Sequence, residues 1–452
     1  MELKTKNLTE GSPWRLLLAF SVPLMAGNVF QQLYTVVDTA VVGKVLGVNA
    51  LAALGAVEWL NWLILGAIQG FTQGFAILMA QKFGAGEYQK LRQVVANAIL
   101  LSILCAVILT AAGQGTAELV LNILKTPEEI RPVSLAYLRI LFAGIPIVMA
   151  YNLTACILRA LGNSRTPLIA MVIASITNSL LDLLFVLGFG WGVKGAALAT
   201  VIGQCLSAVY CFWHIGKITI LHLQRSDWQM EMALCSRLMW LGVPMAFQNA
   251  VIAVGGMIVQ MIVNGFGVVF IAGFTATNKL YGLLEVAATS YGYAMTTYAG
   301  QNLGAGKLKR VSRGLKGAVI ISIITSCTIA VFMLLFGKSI LSLFISAGAE
   351  DGIKALAVAF RYLAIMSVFL PILYILHVVR SCIQGLGNTL LPMISGMAEF
   401  LMRTGAAFFL PALLGENGIL YAEVLAWIGA DMILIPSYFY VMKRIKRAVS
   451  TS

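Results

Sequence analysis

The chain has 452 residues, of which 60% are hydrophobic and only 11% are Asp, Glu, Lys or Arg. A soluble protein runs about 45–50% apolar and about 25% charged, so this chain cannot cover a water-facing surface; a soluble enzyme, a disordered chain and a secreted disulfide scaffold are excluded. The net charge of +13 suggests nucleic acid only until the basic residues are placed.

A bilayer crossing takes roughly 20 apolar residues, and twelve such stretches follow in order. The first runs from near Trp14 to about Val42, too long for a signal-peptide core. It carries Pro23, where a missing backbone hydrogen bond permits a bend. The second lies near 51–81, with Gly66, Gly70 and Gly74 at four-residue spacing for close helix packing. The third to sixth lie near 93–113, 133–157, 166–189 and 195–216, and a charged stretch, 217–237, leads to the seventh, near 238–265, which carries Pro244. The last five lie near 271–300, 315–337, 357–383, 389–413 and 417–441. The seven cysteines are scattered singly, which reads as small core residues and not as bridges or metal ligands. Gly337-Lys338-Ser339 resembles the end of a phosphate loop, but Phe332 stands where the earlier glycine is required.

An even number of crossings puts both termini on one side. The termini and alternate loops hold 21 of the 31 Lys and Arg, among them Lys82, Lys90, Arg92, Arg159, Arg165, Lys307, Arg310 and Lys443. That side is therefore cytoplasmic, and the positive balance is an orientation signal, not a nucleic-acid footprint.

The chain also repeats itself. Val22-Pro23 recurs as Val243-Pro244 at an offset of 221. Gln81-x-x-Gly84-Ala85-Gly86 recurs as Gln301-x-x-Gly304-Ala305-Gly306 at 220, and Leu161-Gly162-Asn163 with Pro167 recurs as Leu386-Gly387-Asn388 with Pro392 at 225. An offset of six crossings preserves membrane orientation, so the halves are parallel repeats, a layout of alternating-access transporters. The expected fold is an all-α polytopic membrane protein of twelve transmembrane helices in two six-helix repeats. The lobes are 1–216 (helices 1–6) and 238–452 (helices 7–12), joined by a cytoplasmic linker, 217–237.

Ionisable groups within hydrocarbon are functional candidates by default. At about 1.5 Å per residue, Asp38, Asp182 and Thr200 all fall roughly 6–9 Å below the outer surface. Asn178 and Asp182 share a helix face at i, i+4. So do Thr200 and Ala196, which offers only its backbone carbonyl. An all-oxygen set suits a hard cation such as Na⁺, and two close carboxylates can instead share a proton; a static hydrogen-bond network between the helices is the bland alternative. In the second half Asn178 maps by offset onto Arg403, Thr200 onto Glu423 and Asp38 onto Val259. Arg403 is therefore expected to pair with Glu423, or with Glu399 one turn back, as a fixed structural version of the site. Tyr34, Trp59, Trp62 and Tyr281 are candidates to line a path for an amphipathic cation, and Glu285 to attract it. Packing is the alternative for the aromatics, and a salt bridge to Lys279 or another buried base is the alternative for Glu285. His377 and Arg380, three apart, are placed either to relay protons or to bond between helices.

The run from Leu158 to Pro167, then Asn178-x-x-x-Asp182, then Gly192-Val193-Lys194-Gly195-Ala196-Ala197-Leu198-Ala199-Thr200, resembles the multidrug and toxic compound extrusion (MATE) family. Val22-Pro23, Asp38 and the paired Gly-Ala-Gly loops extend the resemblance over the whole chain. It implies two lobes around a central cavity and export of amphipathic, often cationic compounds in exchange for Na⁺ or H⁺. It also implies a cation and proton site at Asp38, Asn178, Asp182 and Thr200 with the Ala196 carbonyl. Where some branches of the family carry carboxylates on helices 7 and 10, this chain offers Gln248, Asn249, Gln260 and His377, which points to coupling through the first lobe alone.

The expected protein is thus a cation-coupled multidrug efflux antiporter of the cell membrane and not an enzyme. It is a monomer with both termini cytoplasmic, no cofactor beyond H⁺ or Na⁺, and no nucleic-acid partner. A lipid-linked oligosaccharide flippase of the same superfamily is the main rival, although only Arg139, Lys279 and Arg403 are available as cavity cations. A membrane-embedded enzyme built on an Asp38/Asp182 dyad is the more distant one.

Overall fold

The computed structural model describes residues 7–46, 48–123, 126–345 and 350–451, without the side chains at 34, 36–41, 43–44, 48–49, 51–52, 56, 59 and 449–451. Among them there is no strand. The first half contains α1 (Pro13–Leu46), α2 (Val48–Gly84), α3 (Tyr88–Ile123), α4 (Arg131–Ala143), α5 (Ile145–Ala160), α6 (Arg165–Asp182) and α7 (Gly192–Ile215). The second contains α8 (Met232–Val263), α9 (Val268–Gly304), α10 (Leu308–Leu341), α11 (Glu350–Gly385), α12 (Leu390–Leu414) and α13 (Ala422–Thr451).

The fourth crossing is the bent pair α4 and α5, which meet at 46°. Gly144 sits at the break and Pro146 starts α5, which suits a proline because the first turn leaves its N–H groups unbonded anyway. A side chain at Gly144 would run into Val201 of α7, its Cβ standing 2.6 Å from Val201 Cγ2. Among the described residues, ten helices are long and apolar enough to cross a bilayer, and the bent pair makes eleven. The twelfth is α9, whose 37 residues extend about 55 Å; Thr277, Lys279, Glu285, Ser290 and Gln301 lower its apolar average.

Which way the helices face confirms the solvent. On α10 six of the ten buried positions are small, Gly314, Ala318, Ser322, Ser326, Ala330 and Gly337, whereas Ile320, Ile324, Val331 and Leu335 are each more than half exposed. In water this would be inside out. In lipid, small residues let helices approach while large aliphatics face the acyl chains.

The repeats have a physical cause. Gly162 (φ +80°) and Gly387 (φ +83°) both take the left-handed conformation that side chains resist. In each copy the glycine follows the end of one helix, and the asparagine after it lies two residues before the start of the next. Asn163 N–H donates back to the Leu158 carbonyl and Asn388 N–H to that of Ile383. The side-chain oxygen of Asn163 then accepts the Thr166 N–H at 3.0 Å, and that of Asn388 accepts the Leu391 N–H at 3.1 Å. A residue that needs both a sharp turn before it and a cap after it leaves little latitude in sequence. The Gly-Ala-Gly loops repeat the same left-handed turn, at Gly86 and Gly306.

The chain resolves into two compact units. The first comprises residues 1–8 and 22–246, and the second residues 9–21 and 247–452. Helix α1 changes unit one residue before Pro23, and α8 changes two residues after Pro244. In the first unit Gly70 and Gly74 of α2 lie directly on the α8 backbone. A Cβ on Gly74 would stand 2.5 Å from Gly242 Cα, and one on Gly70 would overlap Ala246. The charged linker is folded onto the same unit. It forms 3₁₀ turns at Thr219–Leu221 and Arg225–Trp228, and buried Asp227 accepts from Arg92 of α3 at 3.2 Å. In the second unit Lys307 and Arg310 hold the residues before α1 through the Thr9 and Gly11 carbonyls. Gly337-Lys338-Ser339 lies inside α10, where its backbone is committed to the helix.

Candidate functional site

Helix α6 ends at Asp182, and the next six residues, Leu183–Gly188, continue as a π-helix. Such one-turn insertions are rare and gather at functional positions. The wider turn begins right after the carboxylate, with Phe185 of this turn packed against Gly195 of α7. Asp182 is fully buried, Asn178 and Ala196 almost so.

Four of the residues singled out from sequence meet here. The Asn178 amide lies 3.2 Å from Thr200 Oγ1. With its oxygen toward Thr200, where it accepts the Thr200 backbone N–H at 3.2 Å, its nitrogen donates to Asp182 Oδ2 at 3.1 Å. Thr200 Oγ1 in turn lies 3.1 Å from the Ala196 carbonyl, to which it donates. Carboxylate, amide, hydroxyl and carbonyl thus form one continuous chain across α6 and α7. Its oxygen atoms fit a hard monovalent cation. Asp38 lies on α1, but its side chain, like those of Tyr34 and Trp59, is outside the described residues.

One member of this site escapes a reading of sequence alone. Gln204, one turn beyond Thr200 on α7, lines a narrow crevice with Ala174, Asn178, Thr200 and Gly203. Its buried Oε1 has no hydrogen-bond partner among the described residues. Buried amide oxygens are nearly always satisfied, so Gln204 brings an unused oxygen to the crevice that Asn178 and Thr200 line. The i, i+4 relation to Thr200 was the available signal.

The second unit holds a different arrangement. Arg403 of α12 donates to Glu423 of α13 at 2.8 Å, to Glu399 at 3.0 Å and to the Ile252 carbonyl at 3.2 Å. The pairing expected with one glutamate or the other is made with both, because the guanidinium fork offers several separate donors. Glu399 also accepts from Arg380 of α11 at 2.6 Å, a bond between helices whose partner the sequence did not name. Glu285 of α9 meets His377 of α11 at 3.2 Å, which supplies the buried base that its alternative reading required. Tyr281 is stacked on Trp427 of α13, with centroids 6.1 Å apart and planes 16° apart. Trp62 of α2 is 54% exposed. Trp62 belongs to the first unit, and Tyr281 and Glu285 are tied to neighbouring helices in the second. Among the described residues no three His, Cys, Asp or Glu side chains cluster as metal ligands, and the seven cysteines are free.

The chain is 30% identical over 420 residues to the probable multidrug resistance protein YpnP of Bacillus subtilis, covering 92% of this chain and 93% of that protein. It is 26% identical over 453 residues to the probable multidrug resistance protein NorM of Thermotoga maritima, covering 96% and 94%. A solved outward-facing structure of a multidrug resistance MATE family transporter of the MOP superfamily has the same fold, with TM-score 0.90, 22% identity and full coverage of both chains. The family model described as MatE matches twice, over residues 23–184 and 244–408. Those matches start at Pro23 and Pro244, at the spacing of the internal repeat, and the chain belongs to the MatE family.

Proposed function

We propose that this protein is a cation-coupled antiporter, driven by H⁺ or Na⁺, that exports amphipathic, often cationic organic compounds by alternating access. The observation that supports it is the chain Asp182–Asn178–Thr200–Ala196, an oxygen-rich site placed within helices that are otherwise apolar. A carboxylate in hydrocarbon is costly and is retained where it binds something. In this reading a cation enters from outside, binds at Asp38 and Asp182, and leaves to the cytoplasm while a drug-like molecule travels outward. One inward charge is worth about 2.3 kcal/mol per 100 mV, enough for useful accumulation from a single ion. If Na⁺ binds, Asp182, the Asn178 and Thr200 oxygens and the Ala196 carbonyl are the groups that hold it. If a proton binds, it sits on a carboxylate.

The protein then works as a monomer in the cell membrane with both termini in the cytoplasm, and takes small amphipathic molecules as its partners. A phosphorylated oligosaccharide cargo needs unneutralised cations, but Arg380 and Arg403 are both committed to carboxylates. In proteoliposomes, efflux of an organic cation such as ethidium under an imposed Na⁺ or pH gradient tests the assignment. Loss of that efflux in Asp182→Asn supports it, and full efflux in the variant refutes it.

A further inference from the structure

One face of α10 changes character along its length. Lys309, Arg313 and Lys316 begin it at i, i+4 and i+7, and all three are exposed. At 3.6 residues per turn the same face continues through Ile320, Ile324, Val331 and Leu335, the large side chains that stand against acyl chains. The three bases span about 10 Å along the helix axis, and Ile320 follows Lys316 by about 6 Å. They therefore lie at headgroup depth, next to the hydrocarbon that the isoleucines meet. Trp14 marks the same level, because tryptophan gathers where water meets hydrocarbon. It is exposed and packs beside Gly317, where a Cβ would stand 3.3 Å from Trp14 Cβ. The Arg15 guanidinium carbon lies 5.2 Å from its ring centroid.

The internal repeat shows that the fold does not require this charge. At an offset of 220, Lys309, Arg313 and Lys316 correspond to Gln89, Gln93 and Ala96 of α3. Bases that do occur at this end of the first unit are matched: Lys82 and Lys90 pair with Glu87 at 3.0 and 2.8 Å, and Arg92 pairs with Asp227. The linker also covers α3 there, since Asn97 donates to the Gln229 carbonyl and accepts the Glu231 N–H.

The second unit has no such neutralisation. Among the described residues Lys309, Arg313 and Lys316 make no ion pair, and Glu10 is the one acid at this end of the unit. Tyr438 of α13 bonds to Ser312 of α10 at 3.2 Å, and the residues that follow it toward this end include Lys443, Arg444 and Lys446, all exposed. An orientation signal is met by bases anywhere at this end. Here three of them are aligned on the stripe that faces lipid, and nothing in the protein matches their charge.

We propose that Lys309, Arg313 and Lys316 bind the phosphate headgroup of an anionic phospholipid whose acyl chains run along Ile320, Ile324 and Val331. In the orientation proposed above, this lipid belongs to the cytoplasmic leaflet. The site goes beyond the proposed efflux function, in which α10 has no part.

The test is native mass spectrometry of the purified full-length protein in a neutral detergent, titrated with phosphatidylglycerol or with phosphatidylcholine of the same acyl chains. The first phosphatidylglycerol should bind about tenfold more tightly than phosphatidylcholine. Lys309→Gln, Arg313→Gln and Lys316→Gln together should remove that preference, whereas Lys309→Arg, Arg313→Lys and Lys316→Arg together should keep it. Neutralising three bases of the first unit instead, with Lys217→Gln, Arg225→Gln and Arg237→Gln, should leave it unchanged. No preference in wild type overturns the proposal, and so does full preference after the three α10 bases are neutralised. Equal loss in both neutralised variants assigns the preference to overall charge and overturns it as well. If the α10 variant does not fold, Arg313→Gln alone takes its place, with a partial loss expected and no loss contradicting the site. Nothing is transported in this measurement, so its outcome is independent of whether the protein moves ethidium.

Discussion

Arg403 donates to Glu423 at 2.8 Å, and the internal repeat places this pair where the first half has Asn178 and Thr200, 3.2 Å apart. The same two helix positions thus hold a guanidinium–carboxylate pair in one unit and an amide–hydroxyl pair in the other.

Arg403→Ala should therefore act on stability. Removing one partner from a buried pair leaves uncompensated charge, at a cost of about 3–5 kcal/mol, and here both Glu399 and Glu423 are exposed to that loss. Thermal melting in detergent should show a large fall, with the ion dependence of any residual transport unchanged. Normal melting with altered ion dependence would make Arg403 part of the coupling site.

Gln204→Leu tests the added oxygen at the crevice. Leucine is similar in size but removes the unsatisfied amide, so folding should be preserved. Losing one oxygen donor should weaken cation binding about tenfold, equivalent to about 1.4 kcal/mol and in the range of a hydrogen bond to a charged group. Binding measured by isothermal titration with Na⁺, and by pH dependence of ethidium affinity, shows which ion is affected. Equal affinity in variant and wild type would leave Gln204 a packing residue.

Gly162→Ala and Gly387→Ala should cost alike, about 1–2 kcal/mol each, because both force a Cβ into the left-handed conformation. Gly74→Ala should cost about 1–3 kcal/mol for a different reason, the overpacking of α2 on Gly242. Melting temperatures of the three variants separate the two causes when Gly242 is crowded further by Gly242→Ala. Only the effect of Gly74→Ala should then depend on the second change.

The fold was legible in these turns because glycine and asparagine there have few substitutes, and the offsets of 220–225 reflect shared backbone geometry. Helix ends were less so. Helix α3 runs from Tyr88 to Ile123, well beyond its apolar stretch, because a helix can continue into water on polar residues such as Gln89, Lys90 and Arg92. The break at Gly144 hid inside one apolar run, since a bend between two helices leaves hydropathy unchanged.

Asn178, Asp182, Ala196 and Thr200 were found by depth and face. The π-turn after Asp182 left no readable mark, because Leu183, Leu184 and Phe185 suit an α-helix equally well. Arg380 could be read as bonding between helices but not paired, since its partner Glu399 is 19 residues away on the next helix.

The most direct measurement of the central claim is ethidium transport in proteoliposomes, with the Na⁺ and pH gradients imposed one at a time, in wild type and in Asp182→Asn. Wild type should move ethidium against its gradient when one of the two ions is allowed to run down, and Asp182→Asn should fail under both while melting as wild type does. Full transport by Asp182→Asn under the active gradient would contradict the account.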